Sequence, residues 1–238
     1  MKPRHLLAAM ALAAGLIGSA GLQAGPIGDF ESELRQAYGA YRTALFQTNR
    51  NDRDASAGAM EAFASRWSAL QARWKNAPPH YAEDEKFTLS LGQVAMIASK
   101  ASAELGQGAL SAAHETLEQI RGSIAEMRAR NGITSFSDRM NAYHVAMERV
   151  LSASYGGFDP TGLGKLRESA AVLSYLVEGL RTPPAGAGES QEFRSLLDRV
   201  AQSVDKLLAA ARDGNAEAAK VALAGLKQPY GLFFLKFG

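Results

Sequence analysis

Met60–Trp74, MEAFASRWSALQARW, sets Met60, Phe63, Trp67, Leu70 and Trp74 at alternating steps of three and four residues. That spacing keeps all five on one face of an α-helix, because successive helical turns stack residues three and four apart. The pattern returns 106 residues later in Leu166–Leu180, LRESAAVLSYLVEGL, where Leu166, Leu173, Leu176 and Leu180 stand for Met60, Trp67, Leu70 and Trp74. The same offset pairs Phe87, Leu91 and Val94 with Phe193, Leu197 and Val200. It also pairs Gly108, Ala112, Ala113, Leu117, Ile120 and Arg121 with Gly214, Ala218, Ala219, Leu223, Leu226 and Lys227. One offset held over such a span implies a tandem duplication of a helical unit.

Outward from this seam the spacing predicts eight helices and no strands. Helix 1 spans about Asp29 to Thr48, helix 2 Asp54 to Asn76, helix 3 Ala82 to Leu105 and helix 4 Ala109 to Arg130. Pro78-Pro79 stops helix 2, since proline lacks a donor and clashes with the preceding turn. Glu83, Asp84 and Glu85 fall in the expected first turn of helix 3, where the helix dipole favours acids. Asn131-Gly132 is a C-terminal stop. Helix 5 spans about Ser137 to Ser152, helix 6 Gly164 to Arg181, helix 7 Ser190 to Arg212, and helix 8 runs from Ala216 nearly to the end. The stretch from Pro184 reads as a flexible connection. Four amphipathic helices with short loops bury their stripes against one another as an up-down bundle. The expected fold is all-α: two four-helix bundles, residues 25–133 and 134–238, after an N-terminal signal peptide, residues 1–24. Trp67 and Trp74 are both expected in the core.

The leader reading rests on Lys2 and Arg4, an apolar run from Leu6 to Ile17, and small residues around Ala24. It implies a periplasmic protein. Lys2 and Arg4 belong to that leader, so 24 basic residues face 24 acidic ones in the remainder. The near-neutral balance excludes a basic stripe for nucleic acid. No later apolar run is long enough for a transmembrane span. The chain has no Cys, which excludes disulfides, thiolate metal sites and covalent haem through Cys-x-x-Cys-His. No Gly-x-Ser-x-Gly elbow or phosphate-cradling loop is present, so no enzyme is expected.

Two places stand out. His114 with Glu118, and His144 with Glu148, are i,i+4 pairs on helices 4 and 5. This spacing puts imidazole and carboxylate on one face, within reach of one metal ion. If the two helices run antiparallel, the four residues meet at one level beside the loop. Such pairs also occur as solvated surface pairs. His80, in the Pro78-Pro79-His80-Tyr81 loop, has no evident partner. The second place is the C-terminal Gln228–Gly238, with Tyr230, Phe233, Phe234 and Phe237. It holds more aromatics than one helix face buries, so it reads either as the closure of the second core or as a docking surface for another periplasmic protein.

Leu207-Leu208-Ala209-Ala210-Ala211-Arg212-Asp213-Gly214-Asn215-Ala216-Glu217-Ala218-Ala219 and the aromatic tail resemble the last two helices of the cytochrome c-prime and b-type cytochrome bundles. The resemblance implies the bundle layout. Leu226-Lys227-Gln228-Pro229-Tyr230 stands where the c-prime family carries Cys-x-x-Cys-His. The Met and His that ligate haem in the b-type family are not both present in either half. His114 lies on the last helix of the first, and Met140 and Met147 on the opening helix of the second. The first expectation is therefore a non-catalytic binding or accessory module without a cofactor. The alternative is a metal- or haem-binding protein using His114, Glu118, His144 and Glu148.

Overall fold

A computed structural model describes residues 25–184 and 190–238. The expected leader, and most of the connection after Pro184, lie outside the described residues. The protein is all-α, with no strand among the described residues. The helices are α1 (Pro26–Asn49), α2 (Arg53–Arg73), α3 (Phe87–Gly106), α4 (Leu110–Arg130), α5 (Phe136–Ser152), α6 (Pro160–Gly179), α7 (Gln191–Arg212), α8 (Ala216–Ala224) and α9 (Lys227–Phe237). None is long and apolar enough to cross a membrane.

Local chemistry sets the boundaries. Asp52, Asp159, Ser190 and Asn215 each accept a backbone N–H three residues on, capping α2, α6, α7 and α8. A side-chain oxygen there satisfies a donor that the first turn leaves open. Ser135 and Asp138 form a reciprocal capping box on α5. Gly108 and Gly214 take φ of 78° and 69° at the turns into α4 and α8, a left-handed conformation that glycine adopts without a Cβ penalty.

Three expected boundaries are corrected, the first being that of α6, which opens at Pro160 behind its Asp159 cap rather than at Gly164. Helix α3 starts at Phe87 rather than Ala82. Asp84 lies in the preceding turn, where Arg130 and Asn131 at the end of α4 donate to it at 3.1 and 2.9 Å. The acidic run therefore ties two connections together instead of opening a helix. The expected helix 8 is broken at Gly225-Leu226 into α8 and α9. Pro229 has no N–H to offer the Gly225 carbonyl four residues back, and its ring clashes with that carbonyl in a continuous helix.

Helices α1 to α4 pack together, as do α5, α6, α7 and the broken pair α8/α9. The 133–134 boundary falls in the α4–α5 connection. Packing of α9 on α1, and of α4 on α5, joins the halves, and their buried apolar residues form one continuous core. Met60, Trp67, Phe87, Leu91, Val94, Ala113 and Ile120 are buried, and so are Leu166, Leu173, Phe193, Leu197, Val200, Ala219 and Leu226 at the same offset. Trp67 is enclosed and donates to the Leu91 carbonyl at 3.0 Å. Trp74 is only half-buried, because its indole reaches out to Glu33 at 2.9 Å.

Candidate functional site

Four helices bound a cavity of about 510 Å³ at the join between the halves. Helix α4 contributes His114, Glu118 and Arg121, and α5 contributes His144, Met147 and Glu148. Helix α1 adds Leu45, Phe46 and Asn49, and α9 adds Lys227, Tyr230, Gly231 and Phe234. Within each helix these recur at steps of three and four, with adjacent pairs at Leu45/Phe46, Met147/Glu148 and Tyr230/Gly231, so one broad stripe of each helix faces the cavity. The histidine junction and the aromatic tail, read from sequence as separate places, are thus opposite walls of one site.

All four expected metal-site residues line this cavity, but only three form a cluster. Glu118 sits between the imidazoles, with His114 Nε2 at 3.5 Å from Oε1 and His144 Nε2 at 3.4 Å from Oε2. Arg121 also pairs with Glu118. Glu148 instead faces Lys227, with Nζ at 3.1 Å. Among the described residues, no group of three or more His, Cys, Asp or Glu is arranged to hold a metal ion.

A hydrogen bond sets the direction of the His114 ring, and stacking that of His144, whose Nδ1 has no partner among the described residues. Thr48 donates its hydroxyl to the Leu45 carbonyl at 2.9 Å, which leaves Oγ1 as the acceptor for His114 Nδ1 at 2.9 Å. With the proton on Nδ1, the Nε2 lone pair is directed toward Glu118 and the cavity. His144 stacks on Tyr230 with centroids 5.4 Å apart, and Tyr143 stacks on the same ring at 5.4 Å. Arg121 lies 5.2 Å over the Phe234 ring, within cation–π range.

Burial pushes the His114 pKa below its ordinary value. Arg121 and Lys227 add to that, against the opposing pull of Glu118 and the Leu45 carbonyl. For Glu118, burial pushes the pKa upward, but the His144 hydrogen bond and the charges of Arg121, His144 and His114 outweigh it, so the net direction is down. Burial disfavours the charge on Arg121 too. Tyr41, Tyr230, Glu118 and Tyr38 around it reverse that, and it stays a cation. Its side chain is 5% exposed, and its Nε and one terminal nitrogen, Nη1, have no acceptor within the protein.

The expected docking surface is corrected. Tyr230, Phe233 and Phe234 are buried and Phe237 is half-buried. Phe233 packs on Phe193 at 5.3 Å and on Phe136 at 6.0 Å, and Phe237 packs on Phe193 at 5.1 Å. These rings close the core, and Tyr230 and Phe234 also wall the cavity. His80 is corrected as well, since its Nε2 lies 3.2 Å from Glu31.

Arg121 and Lys227 were visible in sequence only as partners at the repeat offset, yet both line this cavity. The missed signal was a cation three residues after Glu118 and beside Ile120 and Ile124, within an otherwise apolar stripe. Among known proteins, no family model, curated relative or solved structure matches the chain.

Proposed function

We propose that this chain is a non-catalytic binding module of the periplasm, formed by duplication of a four-helix unit, and that the cavity between α1, α4, α5 and α9 is its binding site. The observation that carries this reading is the composition of that cavity. Leu45, Met147, Tyr230 and Phe234 form a buried apolar floor beneath a wall of His114, Glu118, Arg121 and His144. A mostly apolar cleft with a few convergent polar groups is the usual form of a small-molecule site.

Gly231 supplies the test. It faces the cavity, and a Cβ at that position meets nothing within 4 Å. Gly231→Leu therefore fills the site without disturbing packing, and it removes a helix-destabilising glycine worth up to about 1 kcal/mol. A neutral solvatochromic dye such as Nile red should bind the native chain with enhanced fluorescence and lose most of that signal in Gly231→Leu, at unchanged or raised melting temperature. Equal signals from the two proteins would sink the reading.

The metal or haem alternative is favoured by one observation. His114 Nδ1 is anchored by Thr48, as ligating histidines are by their outer partners, and its Nε2 shares the cavity with Met147. The charges oppose it, because Glu118 is already engaged by Arg121 and Glu148 by Lys227. Metal analysis of secreted protein, with His114→Ala and His144→Ala as controls, decides between the readings. Near-stoichiometric metal lost in both variants would replace the first reading with the second.

A further inference from the structure

We infer that the cavity takes an amphipathic monoanion: a carboxylate on an apolar body of medium length. The inference rests on the reading of the cavity as a binding site and adds the chemical class of the ligand.

The argument begins with which polar groups of the wall are already in use. Glu118 is paired with Arg121 through Oε2, which His144 also approaches, and its Oε1 lies 3.5 Å from His114 Nε2. Glu148 is held by Lys227, and Glu115 stands exposed at the rim. Each inner carboxylate thus already faces a cation, so an ammonium group meets no uncompensated negative charge on the inner wall. The wall also holds cationic donors without partners among the described residues. Arg121 retains Nε and Nη1 without acceptors, at 5% exposure. A buried polar group left unpaired is costly, more so when charged, so an incoming carboxylate gains from supplying what the fold withholds. Lys227, more than half exposed at the mouth, adds a second cation along the path of entry.

His114 can add to this. An anion beside His114 favours its protonated form, so binding takes up a proton and strengthens as pH falls from neutral toward pH 6. The other charged groups of the cavity are Glu115, Glu118 and Arg121 on α4, Glu148 on α5 and Lys227 on α9. The apolar floor of Leu45, Met147, Tyr230 and Phe234, with Phe46 beside it, receives the hydrocarbon.

A series with constant chain and variable head group tests this: octanoate, octanol and octylamine, titrated calorimetrically into the native chain, Lys227→Gln, Arg121→Gln and Gly231→Leu. Octanoate should bind about tenfold more tightly than octanol, the equivalent of about 1.4 kcal/mol, and octylamine most weakly. Lys227→Gln should reduce the octanoate preference about threefold, since an exposed cation acts through a screened field. Arg121→Gln should erase the preference while octanol binding persists, which also certifies that the variant is folded. Octanol equal to octanoate, or octylamine tightest, overturns the ligand class while leaving a working cavity. Binding of none of the three also overturns it, and the Nile red comparison with Gly231→Leu then reports separately on the cavity.

Discussion

Helix α4 buries two arginines one heptad apart, and the fold treats them differently. Arg128, 1% exposed, donates through Nη1 to the hydroxyls of Ser135 and Ser137 at 2.8 and 2.9 Å and reaches Asp138 at 3.4 Å. Its Nη2 lies 3.7 Å from Glu31, which also receives the Tyr81 hydroxyl and faces His80. Ser135 and Asp138 are in turn the capping box of α5. Arg128 thus ties the end of α4 to the start of α5 and to α1. Arg121 has one carboxylate, shared with two histidines, and an aromatic face, with Nε and Nη1 left over where Arg128 leaves Nε alone. A buried cation surrounded by acceptors is architecture. One left short of acceptors beside a cavity has capacity reserved for something else.

The largest expected effect lies on the architectural side. Arg128→Met removes the cation shared by Glu31 and Asp138 and leaves those carboxylates with less compensation. Breaking a buried pair from one side costs about 3–5 kcal/mol, and urea denaturation should show a loss of that order. A loss below about 1 kcal/mol would break the distinction between the two arginines. Arg121→Met should cost less, about 1–3 kcal/mol, because the Glu118 side chain is 29% exposed and His144 still donates to it.

The double variant Arg121→Met with Glu118→Leu sharpens the comparison. Replacing both members of a buried pair by apolar groups is often neutral or stabilising. The double variant should therefore recover most of the single-variant loss, returning to within about 1 kcal/mol of the native chain. If it remains as unstable as Arg121→Met alone, Arg121 is holding the fold rather than equipping a site.

The arginines also show how much of the molecule was legible in advance. Steps of three and four found every helix from α1 to α7, because burial of a stripe is a local property of the sequence. The paired spacing of His114/Glu118 and His144/Glu148 pointed to the α4–α5 wall. The far wall was not legible. That Tyr230 and Phe234 face those histidines depends on the break at Gly225-Leu226 and on α9 crossing to α1, where Arg42 donates to the Phe234 carbonyl at 3.2 Å. Nothing in the spacing of residues 216–237 encodes that crossing. Arg121 and Arg128 were likewise indistinguishable as letters, since what separates them is the number of acceptors that other helices bring. The start of α3 failed for the same reason: the partners of Asp84 are at the far end of α4.

The smallest expected effect is on pH dependence, and it separates site electrostatics from packing. The pKa of His114 in the folded chain lies below its ordinary value, with burial as the main cause. As pH falls below about 6.5 the unfolded chain binds the proton first. Stability that is complete above that pH is therefore lost on the way down to the folded pKa. Glu118, whose net shift is also downward, adds a similar loss at lower pH, in the carboxylate range. His114→Asn keeps a side-chain N–H for Thr48 but cannot titrate. Its melting temperature should fall less steeply than that of the native chain between pH 7 and pH 5, and the two curves should run parallel below that, where only carboxylates titrate. Added octanoate should flatten the native curve over the same upper interval, because an anion that favours protonated His114 offsets the cost of its burial. Parallel curves throughout, with or without octanoate, would show that His114 is a packed ring insulated from the cavity, and would remove the proton-coupled part of the ligand assignment while leaving Arg121 as its sole determinant.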